Sequence, residues 1–249
     1  MSLLSVENVS RHFGNLCAVN DVSLAVQAGE LRAIIGPNGA GKTTFFNLIS
    51  GFFQPTAGRI LFNGNDITSL PPHRRVAMGM ARTFQITEVF PELSVHDNVR
   101  IPVEIESGHR LSPWTSHADA AKVRDRVDEL ITMGGLGAKA SRLVGELPLG
   151  DQRTTEIIMS LALRPRLLLL DEPTAGMGDQ ETYDITQLIR KLHKDQALSM
   201  VLIEHDMRVI FQLAQRIMVL AEGRVLAEGT PAEIAASDAV QAAYLGKSA

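Results

Sequence analysis

Eight consecutive residues constrain this chain more than any other feature. Gly36, Pro37, Asn38, Gly39, Ala40, Gly41, Lys42 and Thr43 fit the pattern G-x-x-x-x-G-K-[ST]. The preceding residues, 31–35, form a near-continuous apolar run, as in a strand buried on both faces of a parallel sheet. The residues that follow, 44–50, read as a helix stopped by Gly51. Glycines let backbone N–H groups turn inward against phosphate oxygens, and the helix N-terminus adds donors and a positive dipole end. In such a loop Lys42 reaches the β- and γ-phosphates, Thr43 offers its hydroxyl to Mg²⁺, and Thr44 continues the cradle into the first helical turn.

A second segment supplies what the loop lacks. Residues 167–170 are four leucines, the length of a buried strand, and they end in Asp171 and Glu172. An apolar strand ending in an acidic residue delivers a carboxylate to the carboxyl edge of the sheet. Asp171 is therefore expected at the metal, and Glu172 where it can polarise an attacking water.

Composition narrows the class further. The net charge of −4 over 249 residues argues against a general nucleic-acid binder, and 5% aromatics against a base-stacking platform. The single cysteine, Cys17, cannot form an internal disulfide and reads as a small buried side chain. No secretory leader opens the sequence, and no segment approaches the roughly 18 apolar residues of a spanning helix. Any membrane role must then come through partners.

Residues 3–35 read as short strands with alternating patterning, and the Asn63-Gly64 pair as a hairpin turn. Between about 90 and 149 strand signals give way to a helical period, with Gly134-Gly135 closing a helix. From Ile157 onward helix and strand patterns alternate again. The expected fold is α/β: a P-loop NTPase core with a mainly parallel sheet, an N-terminal antiparallel β-subdomain and an inserted helical subdomain. The whole of 1–249 would be one ATP-binding domain, with the core in about 1–89 and 150–249 and the helical part in about 90–149.

Asp171-Glu172-Pro173-Thr174 behind the run from Leu147 to Arg153, with Glu204-His205-Asp206 after it, resembles the ATP-binding subunits of ABC transporters. Within that superfamily the chain looks most like an ATPase subunit of branched-chain amino-acid importers. That likeness rests on Arg11-His12-Phe13-Gly14, on Ala81-Arg82-Thr83-Phe84-Gln85, on Thr174-Ala175-Gly176 and on the close Ala243-Tyr244-Leu245-Gly246. The resemblance covers essentially the whole chain. It implies ATP and Mg²⁺, Phe13 stacked on adenine, Gln85 at the metal and the water, and His205 at the γ-phosphate. Implied partners are two membrane-spanning permease subunits, a second ATP-binding subunit and an extracytoplasmic solute-binding protein. The implied location is the cytoplasmic face of the inner membrane, as a peripheral subunit.

The chain departs from that family at one motif. The signature Leu-Ser-Gly-Gly-Gln, which caps the ATP of the opposing subunit, is here Leu147, Pro148, Leu149, Gly150 and Asp151. Pro148 lacks both the hydroxyl and an N–H, Leu149 replaces a glycine, and Asp151 brings a negative charge that would repel phosphate unless turned away. A complete cis half and an impaired trans half favour a heterodimer over a homodimer. Alternatives are an ATPase subunit of a lipopolysaccharide-type exporter, a soluble non-transport ABC ATPase, and a nucleotide-binding subunit without turnover.

Overall fold

The structure is a computed structural model and describes residues 2–83, 89–108 and 117–245. The chain opens with an antiparallel pair, β1 (Leu4–Phe13) and β2 (Leu16–Val26), both longer than the short strands the sequence suggests. Register shifts fall between Val6 and Val9 and between Val9 and Arg11, and Asn8 sits at φ 49°. Bulges of this kind break the alternation of side chains into fragments while the strands stay paired. Then follow β3 (Leu31–Ile35), α1 (Lys42–Ser50), β4 (Ala57–Phe62), β5 (Asn65–Asp66), α2 (Pro72–Ala77) and β6 (Met80–Arg82). Between β4 and β5, Asn63 and Gly64 hold φ 51° and 78°, the two positive values that the Asn-Gly hairpin demands.

A helical stretch comes next: α3 (Val95–Glu106), α4 (His117–Met133), 3₁₀ turns at Gly137–Lys139 and Val144–Glu146, and α5 (Leu149–Ala162). Ser94 caps α3 by accepting from the Asp97 N–H at 3.0 Å. The chain closes with β7 (Leu167–Asp171), α6 (Asp179–Gln196), β8 (Ser199–Ile203), α7 (Met207–Leu213), β9 (Arg216–Ala221), β10 (Arg224–Gly229), α8 (Pro231–Ala235) and α9 (Asp238–Leu245).

Two sheets result. One is wholly antiparallel in the order β2-β1-β4-β5, and the other runs β10-β9-β3-β8-β7-β6, parallel except for the β9–β10 hairpin. The parallel strands are mostly apolar because both of their faces are covered. Ala33, Ile35, Leu168, Leu170 and Leu202 point into a core shared with α3 to α7. Ile34, Leu167, Leu169, Val201 and Ile203 point into a second core with α1 and the antiparallel sheet. Each such fully buried leucine or isoleucine contributes about 1.5–3 kcal/mol. The polar exception in β3 is Arg32, buried and paired with Glu30 at 2.8 Å and Glu228 at 2.7 Å.

The C-terminal end of α1 is anchored by a buried arginine. Arg75, 1% exposed, donates to the carbonyls of Leu48 and Ile49 at 2.7 Å, Leu70 at 2.9 Å and Thr68 at 3.1 Å. Burial pushes its pKa down to about 10, which leaves it charged at neutral pH. A cation here gives the last carbonyls of the helix a strong donor, although that of Leu48 also accepts from the Gly51 N–H at 3.3 Å, and it matches the helix dipole. Arg75→Ala should cost about 3 kcal/mol, because buried acceptors lose their donor together. Urea unfolding checks this; an unchanged midpoint would show that water or a neighbour takes over the carbonyls.

Candidate active site

The strands β3, β8 and β7 lie side by side and deliver their C-terminal ends to one edge. From β3 the chain enters the loop of residues 36–43, and α1 begins at Lys42 with Gly41 as its N-cap at φ 94°. Two glycines are required by space. A Cβ on Gly36 would lie 2.1 Å from the Leu220 carbonyl oxygen, and one on Gly41 would lie 2.4 Å from that of Ala18. The loop thus threads between the end of β9 and the start of β2. Backbone hydrogen bonds close the joint: Gly223 donates to Ala40 at 3.1 Å and Asn20 donates to Gly223 at 2.7 Å.

An open cleft of about 610 Å³ faces this loop. Asn38, Gly39, Ala40, Gly41, Lys42, Thr43 and Thr44 line one side, Glu172 and His205 another, and Leu16, Cys17, Ala18, Glu222 and Gly223 the rest. Lys42 is 6% exposed and its ammonium donates to the carbonyls of Gly36 at 2.7 Å and Pro37 at 3.0 Å. Burial lowers its pKa, and the carboxylates of Glu172 and Asp171 work in the opposite direction.

Glu172 follows β7 with φ 47°, a conformation rare for a side-chain-bearing residue. Its N–H donates to the Ile203 carbonyl at 2.9 Å, and its Oε1 lies 2.7 Å from His205 Nε2. Beneath this pair sits Glu204, 4% exposed, to which the sequence alone assigns no role. Its carboxylate accepts from the His205 N–H at 2.8 Å, the Thr174 N–H at 2.9 Å and the Thr174 hydroxyl. A buried carboxylate needs such donors, and here they tie the turn after β7 to the turn after β8. The available signal was a glutamate directly after an apolar strand, and sequence alone does not say what it accepts from.

Asp171 is 2% exposed, and its Oδ2 accepts from Arg82 at 2.8 Å. Burial raises its pKa and Arg82 opposes that shift. Among the described residues no cluster of three or more His, Cys, Asp or Glu side chains is set to hold a metal. Mg²⁺ does not need one, since it keeps several waters and takes a carboxylate or two plus substrate phosphates. The Thr43 hydroxyl and the Asp171 carboxylate are the hard oxygen donors it prefers, and the loop is open at Gly39, where nothing lies within 4 Å of an added Cβ.

The remaining sequence candidates divide. Phe13 is exposed at the end of β1 but does not line the cleft; the Arg11 guanidinium sits 4.6 Å from its ring centre, and Phe53 packs edge-on at 5.3 Å. Gln85 lies outside the described residues. Cys17, expected to be buried, is half-buried on the cleft with His12 Nε2 3.6 Å from its sulfur. The altered signature lies away from this cleft. Pro148 is the N-cap of α5, Leu149 is exposed beside Gly176, and Asp151 pairs with Lys139 at 2.5 Å. Leu147 is buried, and the Gly150 N–H donates to Glu181 at 3.0 Å.

Tyr244, near the C-terminus, meets the loop from behind: burial raises its pKa, while a hydrogen bond with the Gly36 backbone acts the other way.

Comparison with known proteins places this geometry. The profile described as ABC transporter matches residues 19–175, and that of the branched-chain amino acid ATP-binding cassette transporter matches residues 224–249. Over 251 residues the chain is 38% identical to the high-affinity branched-chain amino acid transport ATP-binding protein LivG of Escherichia coli, covering 98% of each chain. It is 32% identical over 247 residues to the lipopolysaccharide export system ATP-binding protein LptB of the same species, covering 99% of this chain and 98% of that one. The crystal structure of the ADP conformation of an ATP-binding cassette of an ABC transporter superposes with a TM-score of 0.84 at 27% identity, covering 99% of this chain and 100% of the other. The fold is that of a P-loop NTPase. The chain belongs to the ABC transporter family and is an ATP-hydrolysing P-loop ATPase.

The loop geometry sets a test. Lys42→Ala removes a charged donor and should weaken ATP binding about tenfold or more. Gly41→Ala forces a Cβ onto a backbone oxygen and should lower both the melting temperature and ATP affinity. Calorimetry and thermal unfolding read both; ATP affinity unchanged in both variants would remove the loop from the nucleotide site.

Proposed function

We propose that this chain is the ATP-hydrolysing subunit of an importer for branched-chain amino acids or related small solutes. The observation that carries the chemistry is the Glu172–His205 pair, 2.7 Å apart at the mouth of the loop cleft. The full-length likeness to a branched-chain amino-acid transport ATPase supports the substrate class. The lower identity to the lipopolysaccharide export subunit, together with the importer profile at residues 224–249, favours uptake over export.

In this reading residues 36–44 hold the phosphates, with Lys42 supplying charge. Thr43, Asp171 and Gln85 hold Mg²⁺, which when bound would neutralise charge on the β- and γ-phosphates. Glu172 accepts a proton from the attacking water, and His205, held by its contact with Glu172, orients that water and the γ-phosphate. Phe13 supports adenine once its ring is presented to the cleft. Catalysis is then mostly positioning and electrostatic stabilisation.

No helix among the described residues is long and apolar enough to cross a membrane. On its likeness to branched-chain amino acid transport ATP-binding proteins we assign the chain to the cytoplasmic face of the inner membrane, docked on two permease subunits that work with an extracytoplasmic solute-binding protein. It would pair there with a second ATP-binding subunit. The pairing favoured is a heterodimer, because Pro148 and Leu149 weaken what this chain can offer to its partner's nucleotide. The competent site combines this chain's own loop, Asp171, Glu172 and His205 with the partner's signature.

Two measurements test the proposal. Cells lacking this chain should lose leucine uptake and regain it with the parent sequence but not with Glu172→Gln. Normal leucine uptake without the chain would exclude the solute class. In the assembled complex Glu172→Gln should slow hydrolysis by roughly 10²–10³ while ATP stays bound. The equivalent change in the partner subunit should do little. Equal losses from the two changes would mean that the signature substitutions are silent and the asymmetry must be dropped.

A further inference from the structure

We infer that Arg82 is a positioning residue for the reaction: it fixes the direction in which Asp171 presents its carboxylate to the divalent cation, and it does so from an anchor on the last turn of α1. The inference rests on the assignment of Thr43 and Asp171 to the metal made above.

Arg82 ends β6, where the register places it beside Leu169 of β7, two residues short of Asp171. Its side chain spans that gap, and among the described residues three acceptors hold the guanidinium. One terminal nitrogen donates to Asp171 Oδ2 at 2.8 Å; the other donates to Asn47 Oδ1 and to Ser50 Oγ, both at 2.7 Å. The rings of Phe46 and Phe52 lie 5.3 Å and 5.5 Å from the guanidinium carbon. The side chains of Arg82 and Asp171 are 9% and 3% exposed, so little water is present to replace any of these bonds.

Three acceptors in different directions require a planar fork, which arginine has and lysine lacks. Engaging Oδ2 alone fixes the rotation of the Asp171 carboxyl group and leaves Oδ1 for another ligand. Two other cations act near Asp171, and both are engaged elsewhere: Lys42 donates to the Gly36 and Pro37 carbonyls, and Arg153 pairs with Glu156 at 2.6 Å. Orienting a metal ligand through a hydrogen bond from behind is a common device, and its loss typically lowers metal affinity or activity by about 10–100-fold. The anchors matter as much as the charge. Asn47 and Ser50 belong to the helix that the phosphate loop opens, so Arg82 makes the β7 carboxylate and the loop keep one fixed geometry.

The test separates positioning from a merely structural ion pair. In a Glu172→Gln background, which spares the ATP, calorimetry measures ATP affinity in EDTA and again in excess Mg²⁺. The parent should gain affinity from Mg²⁺. Arg82→Ala should keep its EDTA affinity within about twofold and lose most of the Mg²⁺ gain, while with Glu172 intact the Mg²⁺ needed for half-maximal hydrolysis should rise roughly tenfold. Arg82→Lys should fall between the two at an unchanged melting temperature. The double variant Asn47→Ala, Ser50→Ala keeps the arginine but frees it, and should also lose part of the Mg²⁺ gain. If Arg82→Ala does not fold, Arg82→Lys and the double variant decide. A full Mg²⁺ gain in the variants that fold, or an equal loss of ATP affinity with and without Mg²⁺, overturns the positioning role. A parent that binds ATP but gains nothing from Mg²⁺ overturns the metal assignment itself, whatever Arg82 does; a parent that binds no ATP overturns the nucleotide site.

Discussion

The structure depends on a backbone threaded through a gap too narrow for a methyl group. At Gly36 and Gly41 the nearest atoms to an added Cβ are the carbonyl oxygens of Leu220 and Ala18, and Ala18 and Leu220 belong to different sheets. The phosphate loop is therefore the joint between the antiparallel and the parallel layer as well as the face of the cleft. Its helix is gripped at the far end by two arginines, Arg75 on backbone carbonyls and Arg82 on Asn47 and Ser50. A loop pinned at both ends can point its N–H groups at an anion without reorganising when the anion arrives, and electrostatic catalysis requires that kind of preorganisation.

Charge around the site is arranged in pairs whose members come from different strands. Asp171 faces Arg82 from β6, and Glu172 faces His205 from the end of β8. The buried Glu204 holds the turns after β7 and β8 together through Thr174 and the His205 N–H. Adjacent carboxylates at 171 and 172 would repel if both faced the cleft. Glu172, at φ 47°, lines the cleft beside His205, while Asp171 turns to Arg82. Each of two neighbouring like charges thus has a partner of its own.

What could be read from sequence follows from how each feature is encoded. Strands covered on both faces, such as Leu31–Ile35, Leu167–Asp171 and Ser199–Ile203, announce themselves as apolar runs, and the loop announces itself by its glycines and Lys42. The length of β1 and β2 was hidden because bulges interrupt their alternation. Arg75 could not be read at all: its four carbonyl partners are backbone atoms, and backbone acceptors leave no trace in residue type. Glu204 is legible as a glutamate directly after an apolar strand, but its donors, the Thr174 N–H and hydroxyl and the His205 N–H, are brought to it only by the fold. Phe13 takes its adenine role from the family resemblance alone; in the fold its exposed ring also meets Arg11 and Phe53.

The altered signature illustrates how a tertiary partner changes the meaning of a substitution. From sequence, Asp151 is a negative charge brought toward a phosphate. In the fold its carboxylate is paired with Lys139, so it is not the source of the impairment proposed for this end. The source lies in the backbone. Pro148 has no N–H to give, and the Gly150 N–H in the first turn of α5 already donates to Glu181, whose other oxygen lies 3.4 Å from the Gly178 nitrogen at the start of α6. The positive end of α5 is thus already compensated by a carboxylate of its own chain. A phosphate from a partner's nucleotide would have to displace Glu181 and approach past the exposed Leu149, whereas this chain's own loop presents no such obstacle. The asymmetry proposed for the assembled pair therefore follows from competition for one helix N-terminus rather than from repulsion by Asp151.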